Sequence, residues 1–331
     1  MNATLLLPLM LASTAAAAPI SLSAALAKSA QQPAVVAAQA ALVTAQGDLA
    51  KAKADPLGTK VTLLKAQQAY DLALATLKTS QAQAEGQIVS AYTQVLEAQD
   101  GVKVATAGLK LAQVGAQVAQ TQFAKGGGTQ VAAQVAQNSA QAAQQGVRVA
   151  QDGLALAGEN LRSLVGDYSS VAPIGAALQS PKVGAEVQAQ VLGRTPSLLQ
   201  AQQAVVALSL QVNLLDPLAA SAAQITTAKT QLQQAQAGAT SAERGLRLQT
   251  QGLYNAYLQA GKNLDVKRTA LRNAQTQLNA DQGRYAKGII SQLALMQSSL
   301  SAQQAALASE QAQDAVLNAY YALQAGPAAA R

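Results

Sequence analysis

The stretch Phe123-Ala124-Lys125-Gly126-Gly127-Gly128-Thr129 decides the fold, because it returns as Tyr285-Ala286-Lys287-Gly288-Ile289-Ile290-Ser291. The offset, 285 minus 123, is 162 residues, and Tyr92 and Tyr254 are separated by the same interval. Upstream, Pro33 pairs with Pro196 at 163 and Asp55-Pro56-Leu57 with Asp216-Pro217-Leu218 at 161. Self-similarity at one fixed offset marks two tandem copies of a supersecondary unit. In each copy Gly supplies a left-handed helix stop after the aromatic residue, and Thr129 or Ser291 is placed to cap the next helix.

Working outward, each copy has a helix entered at a proline, an Asp-Pro-Leu turn, a very long helix, the Lys-Gly turn and a returning helix. No proline falls between Thr59 and Phe123, so a continuous helix there would reach about 100 Å at 1.5 Å per residue. A helix of that length needs lateral partners. Tyr257, Leu264, Leu271, Leu278 and Tyr285 fall on a seven-residue step, as do Val95, Val102, Leu109, Ala116 and Phe123; such a step is a coiled-coil seam. Val104, Leu111 and Val118 form a second stripe, displaced by two residues and so roughly 200° round the helix. Two stripes call for two helical neighbours, as in the wall of a tube. An ordinary antiparallel bundle fits the periodicity equally well, and the doubled turn chemistry is what favours the wall.

Composition narrows the chemistry. The 331 residues include no His, Cys or Trp and one Phe, with 3% aromatic and 12% charged residues. Cys/His zinc sites, thiol catalysis, Ser-His-Asp triads and disulfides are excluded. The 16 acidic residues are scattered, without a cluster after a glycine-rich loop. We expect no enzyme and no cofactor. The net charge of +7 comes from Lys and Arg strewn singly, without the interleaved aromatics of a nucleic-acid groove, so solvated helix faces account for it and no nucleic-acid partner is expected.

Leu5 to Leu11 is a short apolar run followed by Ser13-Thr14-Ala15-Ala16-Ala17-Ala18-Pro19, which reads as a signal peptide over 1–17 and an exported chain. Two helical repeats then occupy 18–175 and 176–326, with a tail at 327–331. No later segment offers about 18 consecutive apolar residues for a transmembrane helix.

An aromatic residue, two residues, Gly, two residues, Ser or Thr and an aliphatic helix start, in the same place in two tandem halves, resembles the TolC-like outer-membrane efflux family. The likeness extends to Leu22 through Pro33, similar to that family's opening helix, and to Thr195-Pro196-Ser197-Leu198. It implies an all-α chain of long antiparallel coiled-coil helices, a homotrimer forming an α-barrel, and tips that meet a periplasmic adaptor coupled to an inner-membrane pump. On that mapping the tips are Lys125, Gly126, Gly127, Gly128, Thr129, Lys287, Gly288, Ile289, Ile290 and Ser291. Tyr285 and Arg284 are the gate candidates, while Asp55, Pro56, Leu57, Asp216, Pro217 and Leu218 form the membrane-side turns.

The departures are equally specific. The family inserts a β-hairpin between upward and downward helices, whose strands close an outer-membrane barrel. Transmembrane strands need about 9 to 11 residues each, and the Asp-Pro-Leu turns leave no room for them. The tube is therefore expected to end at the membrane's inner face or to dock on a separate outer-membrane component. Ile290, Ala294, Gln297 and Ala132 stand where the family's charged gate residues would be, and Lys125, Arg284 and Lys287 make the tip basic. The leading function is a periplasmic duct in a tripartite efflux or type I secretion system; the alternative is an α-helical envelope spacer without transport.

Overall fold

The computed structural model describes residues 19–174, 186–216 and 220–327. The expected signal peptide, the expected boundary between 175 and 176, Pro217, Leu218 and all but the first residue of the tail lie outside them.

Among the described residues eight α-helices run in chain order: α1 (Leu22–Leu26), α2 (Pro33–Ala54), α3 (Lys60–Ala124), α4 (Gln130–Val165), α5 (Glu186–Gly193), α6 (Pro196–Leu214), α7 (Ala222–Ala286) and α8 (Gln292–Ala325), with a 3-10 segment at Ala27–Gln31. The long helices α3 and α7 each hold 65 residues, about 100 Å. Their bounds repeat at the sequence offset, since 222 minus 60 and 286 minus 124 are both 162.

Local signals set these ends. Pro33 and Pro196 occupy the first turns of α2 and α6, where a missing N–H costs nothing. Thr59 accepts from the Thr62 amide at 3.1 Å to start α3. Ser221 and Gln224 form a reciprocal capping box at the start of α7, satisfying two amides that the helix leaves free. The opening segment forms α1 and the 3-10 turn that follows it, and the run ends at Gln32, which Pro33 forces out of the helical region, to φ −66° and ψ 138°.

In the half towards the Lys-Gly turns, the helices lie in the order α4, α3, α8, α7; in the other half the order is α2, α3, α6, α7. In that half α3 thus has two helical neighbours, α4 and α8, the number its two stripes call for. The seam of α7 meets α8, where Leu264 packs with Ala312 and Val316. At the waist, Ile88, Tyr92 and Val95 of α3 pack with Leu161 of α4, Leu317 of α8 and Leu22 of α1. Tyr92 is wholly buried and donates its hydroxyl to the carbonyls of Ala172 and Ile20. This ties down a single parallel bridge between Ile20 and Val171. Among the described residues there is no β-strand beyond that bridge.

The result is a layer of helices with two free flanks. One flank is α7 along its whole length; the other is α4 below and α2 above. Among the described residues, and apart from Leu57, Leu214 and Ile289 at the turns, the large apolar side chains more than half exposed sit on those flanks. They include Val36 and Val43 on α2, Val149 and Leu156 on α4, and Leu248 and Val266 on α7. Among the described residues of α8, which has a neighbour on either side, no large hydrophobic is exposed.

Candidate functional site

Both tip turns are built alike from the backbone upward. The Gly126 amide donates to the Phe123 carbonyl at 2.9 Å and the Gly127 amide to the Gln122 carbonyl at 2.9 Å. In the second copy Gly288 donates to Tyr285 at 2.8 Å and Ile289 to Arg284 at 2.9 Å. This pair of bonds is the Schellman stop, which places its central residue in the left-handed region. Gly126 and Gly288 sit there, at φ +76° and +73°. Thr129 and Ser291 then accept from the amides of Ala132 at 3.1 Å and Ala294 at 3.2 Å, starting α4 and α8.

The two turns close the ends of α3 and α7 on one side of the molecule. Lys125, Gly127, Lys287 and Ile289 are exposed, while Gly128 and Ile290 are half-buried. Phe123 and Tyr285 present their rings to solvent just behind the glycines. The tip is not uniformly basic, because one acidic group stands behind it. Asp281 is buried, accepts from Gln277 at 3.0 Å and from the Ser298 hydroxyl across the hairpin, and faces the Arg284 guanidinium at 3.4 Å. Those bonds, Ser298 first, hold its carboxyl below the usual aspartate range. Arg284, one of the two gate candidates, is thereby tethered to its own helix. Sequence reading missed Asp281 because its first-copy counterpart, 281 minus 162, is Ala119, which carries no polar group, and Ser298 lies 17 residues away on the next helix.

At the opposite end, the Asp55 side chain accepts from the Leu57 amide at 2.9 Å and its carbonyl from the Gly58 amide at 3.1 Å. This compact turn leaves Leu57 90% exposed and Pro56 beside it. Asp216 opens the second turn, its carbonyl accepting from Ala220 at 2.8 Å. The start of α3 and the end of α6 lie side by side here and enclose an apolar cleft of about 420 Å³ lined by Val61, Leu64, Leu208 and Leu214. So the structure gathers the Lys-Gly residues at one end and Asp55, Pro56, Leu57 and Asp216 at the other. Among the described residues no group of acidic side chains has the geometry of a metal site, and no helix is long and apolar enough to cross a membrane.

No protein-family profile and no curated protein matches the sequence. Solved structures do match the shape. CusC, from work on folding and transmembrane channel formation, superposes with a TM-score of 0.65 at 15% identity, covering 92% of this chain and 96% of that one. VceC, an outer-membrane protein of Vibrio cholerae, gives 0.61 at 14%, covering 92% and 96%. The CmeC outer-membrane channel of Campylobacter jejuni gives 0.64 at 8%, covering 91% and 84%. The chain has the TolC-like channel fold. Among its described residues the chain has the long helices α3, α4, α7 and α8 and no β-strand.

Proposed function

We propose that the mature chain is a duct: a homotrimer whose wall segments close into a hollow helical tube in the cell envelope, receiving cargo at the Lys-Gly tips. The observation that carries this reading is the confinement of the most exposed large apolar side chains along the wall to α7 on one flank and α4 with α2 on the other. Two unlike flanks that each need cover make a head-to-tail interface, and such an interface generates a ring when its rotation closes. Three four-helix segments would give a twelve-helix wall. Small Ala side chains allow the close approach this requires, and Gln, Ser, Thr and Asn offer a wet lining.

On this reading Lys125 to Thr129 and Lys287 to Ser291 meet a periplasmic adaptor, which couples the duct to an inner-membrane pump that supplies the energy; the chain itself is not an enzyme. Tyr285 and the Asp281-tethered Arg284 narrow the entrance. The turns at Asp55-Pro56-Leu57 and Asp216-Pro217-Leu218 face the outer membrane, at its inner surface or on a separate membrane component. The short connections 55–59 and 215–221 also favour a second reading, a spacer without transport, since neither holds strands of about 9 to 11 residues.

Imaging of the purified mature protein separates the readings. A three-fold hollow tube at least about 100 Å long supports the duct. A solid monomeric rod overturns it in favour of the spacer. Stable channels from the purified protein in planar bilayers would overturn the placement of the tube beneath the membrane.

A further inference from the structure

The seam between α3 and α8 joins the first repeat to the second, and three polar rungs interrupt its apolar packing. In the first, Asn318 Nδ2 donates to Thr93 Oγ1 at 3.3 Å. The antiparallel register this sets puts Glu97 opposite Asp314 one turn on and Asp100 opposite Glu310 in the third rung, carboxyl facing carboxyl in both. Two ionised carboxylates have no donor to share and repel each other, so each such pair needs one proton to bond. Asp314 is 1% exposed, and its Oδ2 finds no partner, nor does Oδ1 of Asn318 beside it.

The surroundings do not supply the missing charge. Lys103 reaches Asp100 Oδ1 at 2.6 Å from the exposed rim. On the far side of α8, Arg268 of α7 is bonded to Gln313 at 3.5 Å. On the other flank of α3, α4 contributes the acidic Glu159, which lines a cleft with Gln94 and Ala98. Four carboxyls thus face one rim cation. Among the described residues they do not form a metal site, which leaves the proton as the ligand the rungs are built to take.

We propose that the Glu97–Asp314 and Asp100–Glu310 rungs form a proton lock, which binds two protons to hold the two repeats together and loosens α3 from α8 when they leave. Burial first, then the Asp100 hydrogen bond, raises Glu310 to about 8; burial first, then the Glu97 charge, raises Asp314 to about 7. Asp100 is held low, chiefly by the hydrogen bond from Glu310. Glu310 and Asp314 therefore carry the protons. Groups raised above their unfolded values stabilise fully below about pH 4, and that stability is lost as pH climbs through the folded values. The seam is tight in mild acid and opens towards about pH 8. This holds whether the chain is a duct or a spacer.

The test uses the full mature chain, following hydrogen exchange of 93–104 and 307–318 from about pH 6 to about pH 9, corrected for the intrinsic rate. Opening of these segments should rise at least about tenfold in the native protein. It should stay flat in the Glu310→Gln, Asp314→Asn double variant. In parallel, infrared spectra at neutral pH should show a protonated-carboxyl C=O stretch that the double variant lacks. Flat exchange in the native protein, an unchanged pH profile in the variant, or no protonated-carboxyl band would each overturn the lock. Should the variant not fold, the infrared titration of the native protein decides alone.

Discussion

Leu156 on α4 and Val266 on α7 test the ring directly. The repeat offset maps Val266 onto Val104 (266 minus 162) and Leu156 onto Asn318 (156 plus 162). Val104 lines the α3/α8 seam beside Leu307, and Asn318 is in its first rung. If one repeat follows the next around the ring as the second follows the first within the chain, Leu156 and Val266 enter the corresponding seam between protomers. They are 69% and 65% exposed in the protomer. Full burial of such a side chain is worth about 1.5 to 3 kcal/mol, so covering the exposed two thirds contributes about 1 to 2 kcal/mol each. Leu156→Asp or Val266→Asp removes that gain and buries a carboxylate, weakening each interface by at least about tenfold. The effect recurs at all three interfaces of a closed trimer. Sedimentation at falling concentration should show native trimer where either variant is monomeric, with unchanged helicity because both positions are exposed in the monomer. Gln304→Asp on the exposed face of α8 should assemble normally. Variants that stay trimeric with native affinity, or a native chain that is monomeric throughout, would refute the flank argument.

Other consequences are local. Gly126→Ala puts a Cβ at positive φ with open space around it, so its cost is backbone strain alone, about 1 to 2 kcal/mol in denaturant melts; Gly127→Ala, at negative φ, should be near neutral. Tyr92→Phe removes the donor from Ala172 and Ile20 and should cost about 1 to 3 kcal/mol, with faster proteolysis ahead of α1. Ser298→Ala takes away the first support of the ionised Asp281. NMR titration should show that carboxyl moving up, and since a depressed carboxylate stabilises above its unfolded pKa, the native advantage over the variant should vanish as pH falls below about 4.

How much of this could be read from residues alone depended on range. Helix ends were legible because each is set within four residues: Pro33, Gly126 and the Thr129 and Ser291 caps act on their own backbone. The two neighbours of α3 were legible from Val104 and Leu111 set against Val102 and Leu109, since helix geometry converts spacing into direction. The charged network was not. Glu97 meets Asp314, and Asp100 meets Glu310, across more than 200 residues of chain, and singly scattered acids look like solvated faces until α8 is laid antiparallel on α3. The Gln32 amide that donates to Leu164 at 2.6 Å was hidden for the same reason.

The repeat offset also turns the acid rungs into a statement about the contact between protomers. Glu97 and Asp100 map onto Gln259 and Lys262, while Glu310 and Asp314 map onto Arg148 and Asp152. The seam that is acidic within the chain would then be basic between chains, with Lys262 opposite Arg148 of the neighbour and Gln259 opposite Asp152. Lys262, Arg148 and Asp152 are all exposed in the protomer. An exposed like-charge pair costs about 0.2 to 1 kcal/mol, an opposite pair gains about as much, and both weaken as salt screens them. Lys262→Glu should therefore shift assembly to lower protein concentration, more so at low salt, and adding Arg148→Glu should remove the gain. A double variant that assembles as readily as the single one would refute the pairing. If the pairing holds, the facing carboxyl pairs lie within each chain and not between chains, so an alkaline shift would loosen each chain at its own waist while leaving the ring closed.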